Sequence, residues 1–155
     1  ALVRSAFEVV DLEGTVLITV SDRDKAGVVE VARRFADLGF KVRATQGTHA
    51  LLAAHGVASE LILKMREGRP NIADAIIDGQ IHLIINTPKG KLEAADDSYI
   101  RTTAVKRKIP YITTLAAARA AATGIEAYRR ARGQVKSLQS YHADIGEGAA
   151  ISLEQ

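Results

Sequence analysis

The chain has 155 residues, 47% hydrophobic and 25% charged, with a formal net charge of +3 and a pI near 9.3. This length and balance suit one globular domain with a real core and argue against a disordered or strongly nucleic-acid-binding chain. With no cysteine there is no disulfide scaffold, no thiolate nucleophile and no zinc–thiolate site, and no apolar run reaches the about 18 residues that span a membrane.

In chain order, residues 1–13 read as a connector from a preceding domain, without the cationic and then apolar pattern of a signal peptide. The chain starts with Ala and not Met, which suits a processed protein or a segment of something longer. Gly14 to Ser21 is apolar and β-branched, the pattern of a buried strand. Asp22 and Asp24 favour a helix start, and Val28, Val31, Ala32, Phe35 and Leu38 follow at helical spacing until Gly39. Phe40 to Ala44 alternates as a second strand. Thr45-Gln46-Gly47 turns the chain, and Thr48 begins a short helix to His55. Ser59 to Leu63 is a third strand. Glu67-Gly68-Arg69-Pro70 is a turn into a helix carrying Ile72, Ala75, Ile76 and Ile77, ended by Gly79.

Ile81 to Asn86 is the most apolar run and reads as the central strand. Asp96, Asp97 and Ser98 offer N-caps for a helix to about Lys108, Pro110 to Thr114 is a fifth strand, and Ala116 to Arg132 is helical. Val135 to Leu138 is an edge strand or an extended tail, and residues 146–155 form a flexible tail. Strands alternating with helices at this spacing imply an α/β fold, a five-stranded parallel sheet with helices on both faces, over residues 14–145. The clusters Lys106, Arg107, Lys108 and Arg129, Arg130, Arg132 read as solvated helix ends, where cations complement the dipole.

Three polar segments each end a strand: Thr19 to Lys25, Ala44 to Thr48, and Ile85 to Gly90. In an open parallel sheet, ligands bind at the carboxyl edge. Lys25 supplies a cation, Thr45 and Thr48 supply hydroxyls where a helix begins, and Asn86 and Thr87 follow the apolar strand. A cation, hydroxyls and a helix N-terminus together suit a phosphate. Lys64, after the third strand, adds a second cation, with Arg66 and Arg69 as further candidates. The histidines His49, His55, His82 and His142 lack metal-ligand spacing, His82 reads as a packed strand residue, and no Ser or Thr has an adjacent base. Asp22 and Asp24 read as helix caps ahead of an acid pair.

The segments Ala44 to Thr48, Arg66 to Ile72, Ile84 to Thr87 and Tyr111 to Leu115 resemble the methylglyoxal-synthase-like domain, most closely the C-terminal allosteric domain of the carbamoyl-phosphate synthase large subunit. The resemblance covers nearly the whole chain. It implies a regulatory module that binds nucleotide monophosphates, UMP or IMP, with Lys25, Thr45, Thr48, Lys64, Asn86 and Thr87 on the nucleotide side. It places Tyr111 and Thr113 at an ornithine site. It implies as partners the rest of the large subunit and a glutaminase small subunit, with self-association open; the charge pattern and the lack of a long apolar run argue against nucleic acid and membrane. It assigns ATP and Mg2+ or Mn2+ to the parent synthase, an ATP-dependent ligase of pyrimidine and arginine biosynthesis, and no cofactor, metal or catalytic residue to this domain. The absence of cysteine suits a reducing cytosol, so a cytoplasmic location is expected. Pro88 departs from the pattern, since many relatives carry a hydroxyl residue there. The rival within the fold is methylglyoxal synthase, a phosphate lyase acting on dihydroxyacetone phosphate. Its base lies in a Gly-Gly-Asp segment that matches Gly68-Arg69-Pro70 here, and arginine cannot serve as a base at neutral pH.

Overall fold

Apolar runs flanked by amphipathic stretches bury both sheet faces only when helices cover each side. The structure, a computed structural model that describes residues 14–133, has this arrangement. The strands are β1 (Thr15–Thr19), β2 (Lys41–Ala44), β3 (Glu60–Leu61), β4 (Leu83–Asn86) and β5 (Tyr111–Ile112). They form one sheet in the order β3-β2-β1-β4-β5, and every pairing is parallel. The helices are α1 (Lys25–Asp37), α2 (Gln46–Ala54), α3 (Ile72–Ile77), α4 (Ala94–Lys106) and α5 over residues 115–133.

The period-2 alternation of side chains splits the core in two. Val16, Ile18, Val42, Ala44, Leu83 and Ile85 face one side, where they pack on Val28, Val31 and Phe35 of α1, Leu52 of α2, and Ala118, Ala122 and Ile125 of α5. Leu17 and Ile84 face the other side, against Ile72 and Ile76 of α3 and Ile100 and Ala104 of α4. Leu17, Ile18, Ile84 and Ile85 are fully buried. Burying a side chain of that kind stabilises by about 1.5–3 kcal/mol, so β1 and β4 anchor the molecule. Arg34 of α1 fastens α5 by donating to Thr123 Oγ1 at 2.9 Å and to the Arg119 carbonyl at 3.3 Å.

Several boundaries differ from the reading of the sequence. Thr45 rather than a residue nearer Thr48 is the N-cap of α2, which starts at Gln46. Asp96 and Asp97 are not N-caps. A single 3-10 turn at Lys91–Glu93 runs straight into α4 at Ala94, which leaves both acids in the first helical turn, where they complement the dipole. A second 3-10 turn, Asp22–Asp24, delays α1 to Lys25. The edge strands shrink to two residues each, and both β3 residues are exposed. His82 stands just before β4, not within it, and its Nδ1 accepts the Thr15 N–H at 3.0 Å. Arg129 is not a solvated helix end: it donates to the Leu38 carbonyl and lies 5.5 Å from the Phe40 ring centroid. Residues 1–13, Val135 to Leu138 and residues 146–155 lie outside the described residues.

Candidate functional site

Strand order reverses between β1 and β4, and the crevice outside the carboxyl ends of such a pair is where ligands settle in open α/β sheets. The two strand ends are tied together there. Thr87 N–H donates to the Thr19 carbonyl at 3.1 Å, and Ser21 N–H donates to Thr87 Oγ1 at 2.8 Å. Thr87, at 1% exposed, therefore braces the site from behind and does not line it.

A cavity of about 220 Å³ opens beside this brace. Lys25, Thr45, Thr48, Lys64 and Lys89 line it together with Gly47. Thr45 turns its hydroxyl onto Thr19 Oγ1 at 2.9 Å, so no side chain caps the first turn of α2. The first N–H groups of a helix have no partner within the helix and carry partial positive charge. The Lys25 ammonium stands beside this first turn, against Gly47. A Cβ on Gly47 would lie 2.7 Å from Lys25 Nζ, so glycine keeps the ammonium close to the helix start.

Each cation has a partner. Lys25 donates to Asp22 Oδ1 at 2.7 Å, and this hydrogen bond and the lysine charge hold the Asp22 carboxyl below its usual range. Lys64 donates to Glu93 Oε1 at 2.8 Å. Lys89 donates to Asn86 Oδ1 and to the Thr87 carbonyl, and stands 4.0 Å from Asp97. Its side chain is 11% exposed, against 32% for Lys25 and 38% for Lys64. Burial pushes its ammonium below the ordinary lysine range, against the pull of Asp97 and Glu93. Three lysines against two lining carboxylates leave the cavity positive, suited to a small, highly charged oxyanion.

Asn86 belongs to a second cavity, of about 430 Å³, with Lys91, Asp97, Arg101, Tyr111 and Thr113. Asn86 Nδ2 donates to Asp97 Oδ1 at 3.0 Å and to Tyr111 Oη at 2.8 Å. Burial raises the Tyr111 phenol, with the Asn86 hydrogen bond opposing. Arg101 lies 5.6 Å from the Tyr111 ring centroid. Carboxylate, guanidinium, amide and phenol together suit a small zwitterion.

The structure thus joins Lys25, Thr45, Thr48 and Lys64 in one place, and Asn86, Tyr111 and Thr113 in the next. Arg66 and Arg69 join neither. They pair with Asp96 at 3.1 Å and Asp74 at 2.6 Å. Lys89, Glu93, Asp97 and Arg101 were not singled out as site residues from the sequence. The signal for Lys89 was its place in the segment Ile85 to Gly90, and for Asp97 its place in the first turn of the helix that follows. Among the described residues no group of three or more His, Asp or Glu could hold a metal ion, and no helix is long and apolar enough to cross a membrane.

The model of the MGS-like domain matches residues 27–113. The chain is 48% identical over 139 residues to the carbamoyl phosphate synthase large chain of Acidobacterium capsulatum, covering 90% of itself and 13% of that protein. It is 44% identical over 126 residues to the carbamoyl phosphate synthase large chain, C-terminal section, of Aquifex aeolicus, covering 81% of itself and 24% of that protein. The chain therefore spans a small part of the relatives it matches. The solved methylglyoxal synthase of Elizabethkingia anophelis aligns with a TM-score of 0.59 at 20% identity, over 70% of this chain and 76% of that one, which shows a shared fold. The chain belongs to the MGS-like domain family, and over most of its length it is a relative of carbamoyl phosphate synthase large chains.

Proposed function

We propose that this chain is the effector-binding unit of a carbamoyl phosphate synthase large chain and binds a nucleoside monophosphate, UMP or IMP, by its phosphate. The observation that carries the reading is the uncapped start of α2 opening into a cavity lined by three lysines. Lys25 and Lys64 meet the phosphate charge, the Thr45 and Thr48 turn presents backbone N–H groups, and Asn86 stands on the wall toward the second cavity. The second cavity, with Tyr111 and Thr113, takes an amino-acid effector such as ornithine. In the whole synthase, which includes a glutaminase small subunit and serves pyrimidine and arginine biosynthesis, ligand occupancy shifts an equilibrium between states that differ in affinity for the ligand.

The lyase reading has less support. A lyase needs a free carboxylate beside the phosphate, and the two carboxylates lining the cavity are ion-paired, Asp22 to Lys25 and Glu93 to Lys64. Arg69 is engaged with Asp74. The chain should leave dihydroxyacetone phosphate unconverted, and methylglyoxal formation abolished by Asp22→Asn or Glu93→Gln would favour the lyase instead.

Calorimetric titration with UMP, IMP and inorganic phosphate tests the main reading. Nucleotide binding that requires Lys25 and is displaced by inorganic phosphate supports it. Nucleotide binding unaffected by Lys25→Ala refutes it.

A further inference from the structure

We propose that Lys89 is a third anion-binding cation, shared between the two cavities, and that an anion bound at α2 and the carboxylate of Asp97 compete for it. This rests on the phosphate reading above and adds a residue and a coupling that the reading does not contain.

The argument starts from position. Lys89 lines the anion cavity, yet its ammonium is held by Asn86 Oδ1, by the Thr87 carbonyl and, at 4.0 Å, by Asp97. Asn86 and Asp97 line the second cavity and are themselves joined at 3.0 Å. Asp97 does not line the anion cavity. Lys89 is therefore the side chain that reaches the first cavity while bonded to the wall of the second. It is also the least exposed of the three cations, so its charge is the least screened by water. A buried ammonium whose pKa is depressed by burial gains most from an incoming anion.

The neighbours set the sign. An anion entering the cavity draws Lys89 toward it, since it meets a full charge in place of a neutral amide oxygen and a carboxylate at the edge of ion-pair range. Asn86 Oδ1 then loses a donor and Asp97 loses a counter-ion. The second cavity becomes more negative, and a ligand cation beside Asp97 binds more tightly. Coupling free energy is reciprocal, so a cation at Asp97 must also tighten the anion.

A double-mutant cycle on the 155-residue chain tests this, read by calorimetric titration with inorganic phosphate. Lys89→Met keeps the aliphatic stem and should weaken phosphate about tenfold, a loss worth about 1.4 kcal/mol. Asp97→Asn keeps an acceptor for Asn86 and frees Lys89, so it should tighten phosphate about threefold or more, although Asp97 lies outside the cavity. In the Lys89→Met background, Asp97→Asn should have no effect on phosphate. A through-space charge effect would persist in that background and would overturn the shared-cation proposal. So would phosphate affinity within about twofold of the parent in Lys89→Met. Side-chain amide resonances of Asn86 should shift on phosphate addition in the parent and stay still in Lys89→Met. If the parent binds no phosphate, the phosphate reading itself falls. If the parent binds phosphate through Lys25 but Lys89→Met is silent, only the present proposal falls.

Discussion

The two cavities share one sheet edge but are built from different materials. The cavity beside α2 takes its charge from lysines that project from three separate segments and its neutral donors from backbone. The cavity beside α4 takes its polarity from long side chains of alternating sign: Asp97, Arg101, Lys91 and the Tyr111 phenol. Backbone donors have fixed direction and suit an ion whose oxygens are all alike. Mixed side chains suit a ligand with distinct ends. Position in the sheet decides which material is at hand. β1 and β2 end in short residues, Thr19 and Ala44, and β2 leads directly into the uncapped start of α2, whereas β4 ends in Asn86, which bonds Asp97 in the first turn of α4.

Lys25→Ala should give the largest break in this contrast. Charge-assisted hydrogen bonds are worth about 1.5–3 kcal/mol, so nucleotide affinity should fall about tenfold to hundredfold in calorimetry. Binding of an amino-acid probe such as ornithine should hold within about twofold if the cavities are distinct in function. Gly47→Ala should come next. The new methyl group displaces the Lys25 ammonium from the start of α2, and affinity for phosphate should drop about fivefold while circular dichroism shows the helix intact. No loss of affinity would mean that Lys25 acts from elsewhere. Tyr111→Phe removes the phenol that holds Asn86, and should weaken ornithine about threefold and spare phosphate. Equal weakening of both would erase the distinction between the cavities.

The smallest effect concerns a pair outside both cavities. The Arg69 hydrogen bond, with help from the Asn71 N–H, holds the Asp74 carboxyl below its usual range. A depressed carboxylate lends stability above its unfolded pKa and loses it as pH falls through the folded one. The melting difference between parent and Arg69→Met should therefore be small at neutral pH and close in acid. A difference that grows in acid would contradict the pairing.

The sheet and its helices were legible because apolar runs and their glycine stops recur at regular spacing. The split of the core into two faces follows from the same alternation in β1 and β4. Lys25, Thr45, Thr48 and Lys64 were legible as a group because each follows a strand, and a parallel sheet collects strand ends on one edge. The placement of Asn86 was not legible. Spacing put it at the right edge, but its direction depends on Asp97 and Tyr111, which stand 11 and 25 positions away in sequence. The burial of Lys89 is not legible for a related reason. A lysine in a Pro-Lys-Gly loop looks solvated, and only tertiary packing buries its ammonium. Asp24 does stand at the N-cap of α1, as Asp22 and Asp24 suggest, whereas α4 starts earlier than Asp96 and Asp97 indicate, because acids within a first turn resemble acids that cap it.

An uncapped helix start gathered with three lysines and only two lining carboxylates leaves an excess of positive charge, and that has a consequence for the durability of the chain. An excess of one sign opposes folding, and an anion bound there, as proposed above, would favour only the folded form, since the unfolded chain scatters the cations. Mass action would then make the proposed ligand a folding partner. At a hundredfold excess over its dissociation constant, a ligand of the native state adds about 2.7 kcal/mol. Native domains have about 5–15 kcal/mol in total, so a phosphate that binds as proposed should measurably raise this chain's resistance to heat and proteolysis.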